Sequence, residues 1–372
     1  MVGSVRWDSL RDPPGPGGRA AAAAAPALFE APAVITRADT PGFRGITFFE
    51  IHARSVINKL PASSRMPFSW TINPYRGCSH ACVYCFARNS HTYLDLDAGQ
   101  DFNSKIVVKV NAAEAARREL ASPRWGGEHI AMGTNVDCYQ RAEGRYRLMP
   151  GIIAALRDAA NPFSILTKGT LILRDLDLLA EAAEVTEVGL NVSAGFTDAD
   201  LWRSVEPGTP SPQRRIEVCA ALTARGLRCG VLMGPVLPFL TDSPAQLEQT
   251  VRLAAAAGAA HVAPIVLHLR PGAREWFMAW LAREHPALLP RYRGLYGNGS
   301  YAPRRYQQQI TDQVRELAAR YGVGRASPAA ARRVRPPAPG QRPRAGTGLG
   351  GGARPAAQAS PRETSSVQLS LI

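Results

Sequence analysis

Cysteine is scarce in this sequence, and long apolar runs are absent. Six cysteines in 372 residues are too few for a secreted scaffold held together by disulfides. No apolar stretch approaches the roughly 20 residues that a membrane-crossing helix needs. The alanine row at 20–25 follows two aspartates and precedes a proline, which is not the pattern of a secretory signal. We therefore expect a cytoplasmic protein without a membrane segment, in which grouped cysteines indicate a metal.

Both ends of the chain have compositions that disfavour folding. Residues 1–44 are rich in proline, glycine and alanine without a period, and residues 326–372 are richer still. Such segments bury too little apolar surface to offset the entropy lost on ordering. We predict a disordered leader over 1–44, one folded domain over 45–325 and a disordered tail over 326–372. The tail is basic, with seven arginines against one glutamate.

Between these ends, strand-like and helix-like segments alternate. Apolar runs typical of buried parallel strands lie at 70–74, 129–133, 163–167, 187–192, 228–232 and 261–267. Helical patterns lie at 112–121, 145–160, 171–183, 211–225 and 245–257. This alternation predicts an α/β fold with a mainly parallel sheet. In such a fold the chemistry is found just after the carboxyl ends of the strands.

Three of the six cysteines lie within eight positions. Cys78, Cys82 and Cys85 have the spacing CxxxCxxC and directly follow the first predicted core strand. Thiolates favour zinc or an iron–sulfur cluster over hard ions. A structural zinc site usually needs a second pair of ligands, and the chain has no second CxxC. The preferred interpretation is a four-iron cluster with one open iron, and the alternative is a zinc site completed by His80 or His91.

The cysteine loop, with Tyr84 just before its last cysteine, resembles the signature of the radical S-adenosylmethionine (SAM) superfamily. Together with its flanks, over residues 45–320, it is similar to the branch of spore photoproduct lyase, and within it to an uncharacterised actinobacterial family. The resemblance implies a partial (β/α)6 barrel of the TIM type. It also implies a 4Fe-4S cluster on the three cysteines, whose open iron binds SAM. An electron from a flavodoxin- or ferredoxin-like donor then splits SAM into methionine and a 5′-deoxyadenosyl radical.

The same resemblance implies cofactor contacts after the first four core strands. Tyr84 lies in the cysteine loop, and the turn with Asn135 and Asp137 is where superfamily members hold the amino group of SAM. Both side chains offer acceptor oxygens for an ammonium, although the same residue types also cap turns. Lys168 is placed to pair with the SAM carboxylate, or else to snorkel at the rim. Ser193 is placed to contact the ribose.

Photoproduct lyases carry, in the turn after the second strand, a cysteine that returns a hydrogen atom to the product radical. This chain has Thr134 at that position and Cys138 on the other side of Asp137. The resemblance therefore does not imply identical chemistry, and Cys138 is a hypothetical radical quencher. His268 and Arg270 close the sixth strand and are candidate substrate contacts.

Two further pairs of charged residues fall in this region. Glu206 and Arg215 match another part of the family sequence and are also explained by a structural ion pair. Arg76 and Arg88 flank the cysteines, where they would offset the negative charge of a thiolate-bound cluster. Both would equally fit a solvated surface.

Charge and tail composition favour a polyanionic partner. The net charge of +14, with arginines clustered near the end of the sequence, is typical of a protein that binds nucleic acid. A tail that only increases solubility would explain it equally well. The five residues from Gln368 to Ile372, QLSLI, resemble the peptide by which bacterial DNA-processing proteins bind the replication sliding clamp. The leading hypothesis is a radical SAM enzyme acting on nucleic acid in a repair-like reaction. The alternatives are a zinc-stabilised nucleic-acid-binding module and a radical SAM enzyme acting on a protein or small metabolite.

Overall fold

The computed structural model describes residues 35–324 apart from 62, 63 and 65. The predicted tail and the peptide from Gln368 to Ile372 lie outside the described residues, as does the predicted leader up to residue 34. Residues 35–38, predicted as part of that leader, instead form a strand, because their backbone pairs with the next strand. None of the described helices has the length and apolar character that a membrane crossing requires.

The strands form two sheets. In chain order they are β1 (Ile35–Ala38), β2 (Thr47–Ile51), β3 (Ile57–Lys59), β4 (Trp70–Ile72), β5 (Tyr75–Arg76), β6 (Lys105–Lys109), β7 (Ile130–Met132), β8 (Phe163–Thr167), β9 (Val188–Ser193), β10 (Cys229–Val236) and β11 (Val262–Val266). The larger sheet has the order β11-β10-β9-β8-β7-β4-β3, and the smaller has the order β1-β2-β6-β5.

Helices connect most of these strands. The α-helices are α1 (Gln100–Ser104), α2 (Ala112–Leu120), α3 (Arg141–Tyr146), α4 (Leu148–Asp158), α5 (Leu176–Val185), α6 (Ala199–Val205), α7 (Pro212–Ala224), α8 (Pro244–Ala256), α9 (Ala273–Glu284), α10 (Leu289–Tyr296) and α11 (Arg304–Arg320). Three 3-10 helices of the described residues occupy Phe86–Leu94, Thr170–Asp175 and Pro286–Leu288.

The six predicted core strands are confirmed as β4 and β7 to β11. They run parallel to one another and lie side by side in chain order. Each strand is thus added on the same side of the last, as in a (β/α) barrel. β3 closes one edge in the antiparallel direction. The predicted α/β fold with a parallel sheet is therefore confirmed, and the carboxyl ends of all six strands meet at one edge.

The smaller sheet holds the start of the cysteine loop. β5 is a two-residue strand that pairs antiparallel with β6, so that Tyr75 lies opposite Val108. The Tyr75 hydroxyl donates to the buried Glu143 carboxylate at 2.5 Å. Burial raises the pKa of Glu143, and its bonds to Arg174 and Tyr75 oppose that shift. This sheet was not predicted, because its strands have only two to five residues and pair with segments that are distant in sequence.

Candidate active site

One cavity lies at the carboxyl ends of the parallel strands. Its wall contains segments that follow or end β4, β7, β8, β9, β10 and β11. All eight predicted site residues line it: Cys78, Cys82, Tyr84, Cys85, Asn135, Asp137, Lys168 and Ser193. The fold thus brings together residues that are spread over more than a hundred positions of sequence, whereas their individual binding roles stay predictions.

The three motif cysteines are free thiols in the cavity wall. Cys78 and Cys82 are buried, and Cys85 is partly buried. Burial raises the pKa of Cys82 to about 12, with the nearby Glu206 charge adding to the shift. Burial also raises the pKa of Cys85, whereas the Arg88 guanidinium opposes that rise. Burial thus disfavours the charged thiolate form of these side chains.

The cysteine loop is fastened to two other parts of the fold. The Ser79 amide donates to Oε1 of Gln140 at 2.9 Å, and Nε2 of Gln140 donates to the Gly77 carbonyl at 2.9 Å. The Val83 amide donates to the Val205 carbonyl at 3.0 Å. Gln140 is fully buried, so its amide side chain replaces the backbone partners that this loop lacks. The role of Gln140 was not predicted, because a polar residue after Tyr139 does not by itself indicate a hydrogen bond to the distant cysteine loop.

Arg88 lies inside the protein rather than on a solvated surface. Its side chain is fully buried and contacts the ring of Trp276, 4.7 Å from the guanidinium carbon to the ring centroid. Nη1 donates to the Gly99 carbonyl at 2.8 Å, and Nη2 donates to the Cys82 carbonyl at 2.9 Å and to Oδ1 of Asn103 at 3.0 Å. The alternative interpretation of Arg88 as a solvated surface residue is therefore wrong. Its planar, multiply donating head joins the cysteine loop to the segment before β6.

Asp137 connects two neighbouring strand ends. Its Oδ1 accepts from the Thr167 hydroxyl at 2.6 Å and from the Tyr139 amide at 2.9 Å, and its Oδ2 accepts from the Lys168 amide at 2.6 Å. His80 Nδ1 lies 3.4 Å from Oδ2. These contacts occupy most of the acceptor positions of a carboxylate. Asp137 therefore holds the turn in place, which is the capping role left open from the sequence.

Asn135 lines the same cavity wall as Asp137. Unlike Asp137, its side chain makes no hydrogen bond with the described part of the chain. Its amide group is thus free to act as acceptor or donor toward a bound molecule. Of the two residues predicted to hold the SAM amino group, Asn135 is the one whose oxygen is not already engaged.

Lys168 and Ser193 form one polar group at the ends of β8 and β9. Lys168 Nζ donates to the Ser193 hydroxyl at 2.7 Å and to the Gly234 carbonyl at 3.3 Å. The Ser193 hydroxyl in turn donates to the Gly234 carbonyl at 2.9 Å. Nζ also lies 5.7 Å from the centroid of the Tyr84 ring. The ammonium therefore points into the cavity, which contradicts the rim-snorkelling alternative for this lysine.

A buried ion pair contacts both Tyr84 and the backbone of Ser193. The Tyr84 hydroxyl donates to the Glu206 carboxylate, which also pairs with Arg215. Arg215 Nη1 donates to the Ser193 carbonyl at 3.0 Å. Burial alone would raise the pKa of Glu206, but the charges of Arg215 and Lys168 hold it below its ordinary value. Both partners are thus charged, and the pair links Tyr84 of the cysteine loop to the end of β9.

Thr134 and Cys138 differ in whether they face the cavity or the core. Thr134 lines the cavity. Cys138 is fully buried in the apolar core and is not among the described lining residues. The hypothesis that Cys138 quenches a radical in this cavity is therefore not supported by its position.

Each histidine proposed for a zinc site has one ring nitrogen in contact with another group of the protein. His80 faces Asp137, as described above, and His91 Nε2 lies 2.8 Å from the Lys105 carbonyl oxygen. Over residues 35–324, with the stated gaps, no three Cys, His, Asp or Glu side chains are arranged to hold a single metal ion. Among the described residues that line the cavity, the only cysteines are Cys78, Cys82 and Cys85. This is the number of thiolate ligands that the proposed cluster would have. Three thiolates would leave one iron of a four-iron cluster open.

Comparison with known families decides the class of this site. The family model described as the radical SAM superfamily matches residues 72–254. The chain belongs to the radical SAM superfamily. Members of this superfamily are enzymes that use a 4Fe-4S cluster and SAM. The matched segment begins at the end of β4 and includes all eight predicted site residues.

Two relatives extend the likeness beyond the matched segment. An uncharacterised protein of Mycobacterium tuberculosis is 53% identical over 281 residues, which are 76% of this chain and 83% of the relative. An uncharacterised protein of Methanocaldococcus jannaschii is 30% identical over 199 residues, which are 53% of this chain and 70% of the relative. Proteins similar to this chain thus occur in both bacteria and archaea.

A solved structure shares the fold at low sequence identity. Spore photoproduct lyase complexed with a dinucleoside spore photoproduct superposes with a TM-score of 0.55 and 14% identity. The match covers 74% of this chain and 80% of the lyase. At this identity the likeness concerns the fold alone, and it agrees with the α/β architecture and parallel sheet of the described residues.

Proposed function

We propose that this radical SAM enzyme binds its cluster through Cys78, Cys82 and Cys85 and acts on a nucleic acid, in a repair-like reaction. The observation that carries the cofactor assignment is the convergence of three free thiols with Lys168 and Ser193 in one cavity. Thiolates are soft ligands suited to iron–sulfur clusters. The chain provides three of them and leaves the fourth position to SAM.

The residues around the thiols suit the parts of SAM. When bound, the cluster and SAM together supply a 5′-deoxyadenosyl radical. Lys168 offers an ammonium for the SAM carboxylate, and Asn135 offers an amide oxygen for its amino group. Ser193 offers a hydroxyl to the ribose. The burial of Cys78 and Cys82 would limit the access of bulk water to a cluster held there.

The choice of substrate class rests on fold and charge. The spore photoproduct lyase that shares this fold was solved with a dinucleoside photoproduct, and the present chain has a net charge of +14. A basic protein attracts phosphate backbones through a term that does not depend on sequence. A nucleic-acid substrate is therefore favoured over a small metabolite.

Formation of 5′-deoxyadenosine tests the cofactor part of the proposal. Protein reconstituted with iron and sulfide without oxygen is reduced in the presence of SAM, and products are separated by chromatography. We expect 5′-deoxyadenosine from the wild type and none from Cys82→Ala. Cys219→Ala is the matched control, since Cys219 is a buried thiol outside the cavity. Equal product from Cys82→Ala would refute the ligand assignment.

Two protein partners belong to the same proposal. The enzyme needs one electron per cleavage, for which a flavodoxin- or ferredoxin-like donor is suited. The peptide from Gln368 to Ile372 would bind a replication sliding clamp as a short apolar segment docking in a groove. Titration of a purified clamp with a peptide of residues 360–372 tests this at low salt, and an absence of binding would end the clamp proposal.

A further inference from the structure

Four side chains form a continuous arc along one edge of the cavity, here called the mouth arc: Phe86, His268, Arg270 and Tyr301. Phe86 and His268 line the cavity itself. The Arg270 guanidinium lies over the Phe86 ring at 5.6 Å, and its Nη2 donates to the Tyr301 hydroxyl at 3.1 Å. The Tyr301 ring meets the His268 ring edge to face, with 4.6 Å between centroids. Each member thus contacts the next.

The backbone holds the mouth arc in this shape. His268 and Tyr301 form an antiparallel bridge, and the Leu269 amide donates to the Ser300 carbonyl at 2.8 Å. The segment after β11 is thereby joined to the segment before α11. A site held by backbone pairing loses little freedom when it binds a ligand.

The outer half of the mouth arc is open to solvent. Tyr301 is 48% exposed, which is unusual for a large ring in this fold. Arg270 Nε and Nη1 donate to no residue in the described part of the chain. Burial, with the Arg270 charge adding, lowers the pKa of His268 to about 4, so its ring is neutral at neutral pH. The mouth arc therefore offers an aromatic face, a cation with free donors and no carboxylate.

We propose that the mouth arc binds one unstacked nucleotide of a single-stranded nucleic acid, with the base on the Tyr301 ring and a phosphate on Arg270. This rests on the proposed function, since it specifies the substrate of the same cavity. Every base has a face that stacks on an aromatic side chain, and a guanidinium fork matches a phosphate. A base that stays in a duplex could not reach a cavity at the strand ends, so an extruded or single-stranded one is required.

Binding of a labelled single-stranded oligodeoxynucleotide to the full-length reconstituted protein, followed by fluorescence anisotropy, tests the stacking contact. We expect Tyr301→Ala to weaken affinity about five- to 100-fold, the usual loss for one base–aromatic stack. Tyr301→Phe keeps the ring and should stay within about twofold of the wild type. Tyr93→Ala is the matched control, because Tyr93 is a 65% exposed tyrosine outside the mouth arc.

The salt dependence tests the phosphate contact separately. Arg270→Ala should lower the slope of log affinity against log salt by about 0.7, the value for one phosphate on a single strand. Tyr301→Ala should leave that slope unchanged. Wild-type affinity in Tyr301→Ala, or an equal loss in Tyr93→Ala, overturns the mouth-arc proposal and leaves the proposed function standing. If the wild type forms 5′-deoxyadenosine but binds no oligonucleotide, the nucleic-acid substrate is overturned as well.

Discussion

Arg88 shows how much of the cysteine loop depends on one side chain. Its guanidinium donates to a carbonyl of the loop, at Cys82, and to one of the segment before α1, at Gly99, and it contacts two aromatic rings. The sequence predicted a charged residue near the cysteines but could not distinguish a buried arginine from a solvated one. The distinction depends on Trp276, which lies far away in the chain and approaches only when α9 packs.

Replacing Arg88 should therefore impair iron binding. Arg88→Lys and Arg88→Ala should both lose iron, because one ammonium cannot reach both sets of carbonyls. Each buried carbonyl left without a donor costs about 1–3 kcal/mol. Iron per chain after anaerobic reconstitution is the measurement, with Arg76→Ala as control in the same loop. Full iron content in Arg88→Lys would contradict this role.

The Glu206–Arg215 pair provides a second test at the residue scale. Arg215→Leu should destabilise the protein by about 3–5 kcal/mol, because it leaves a buried carboxylate without its partner. The double variant Glu206→Leu/Arg215→Leu should recover much of that loss. Anaerobic urea unfolding measures both. Arg203→Leu breaks an exposed pair with Asp200 and should cost at most about 1 kcal/mol; a similar loss in this control would refute the effect of burial.

The residue pattern predicted helices and strands correctly where the apolar face of the element is long. The residues at the ends of these helices suit their positions: Ser243 accepts from the Gln246 amide at the start of α8, and Pro244 opens the helix. Gly226 and Gly258 follow the ends of α7 and α8 with positive φ. The pattern failed for β5 and the smaller sheet, whose strands are defined by pairing with distant residues and not by their own composition.

Gly133 tests the packing of one strand end against another. It has a φ of +76°, and a Cβ there would overlap the Leu166 carbonyl oxygen of β8. Gly226 has a φ of +83° but open space around it, so Gly226→Ala should cost only the conformational strain of about 1–2 kcal/mol. Gly133→Ala should cost about 1–3 kcal/mol more because the strand must shift. Equal midpoints in urea unfolding would contradict this close approach.

At the scale of the whole molecule, the cavity is a product of topology. Eight site residues could be named from the sequence because the cysteine motif resembles that of a known family, whose cofactor contacts follow the strand ends that a parallel sheet brings together. The engagement of Asp137 within the protein and the burial of Cys138 could not be predicted. Both depend on which way a side chain turns after a strand ends, and that is decided by neighbours such as Thr167.

The basic segment beyond residue 325 should contribute to nucleic-acid binding but not to the cofactor chemistry. Removal of residues 326–372 should leave iron content and 5′-deoxyadenosine formation unchanged, because every site residue lies before it. The slope of log affinity against log salt for single-stranded DNA should decrease by up to about five, if all seven arginines meet phosphates. An unaltered slope would mean that these arginines do not contact the nucleic acid.

Electron paramagnetic resonance of the reduced, oxygen-free protein tests the central claim most directly, namely that three thiolates hold a four-iron cluster with one corner open to SAM. The account predicts about four irons per chain and a spectrum that changes when SAM is added, in the wild type and in Cys138→Ala alike. A colourless protein with one zinc, or a cluster spectrum that SAM leaves unchanged, would contradict it.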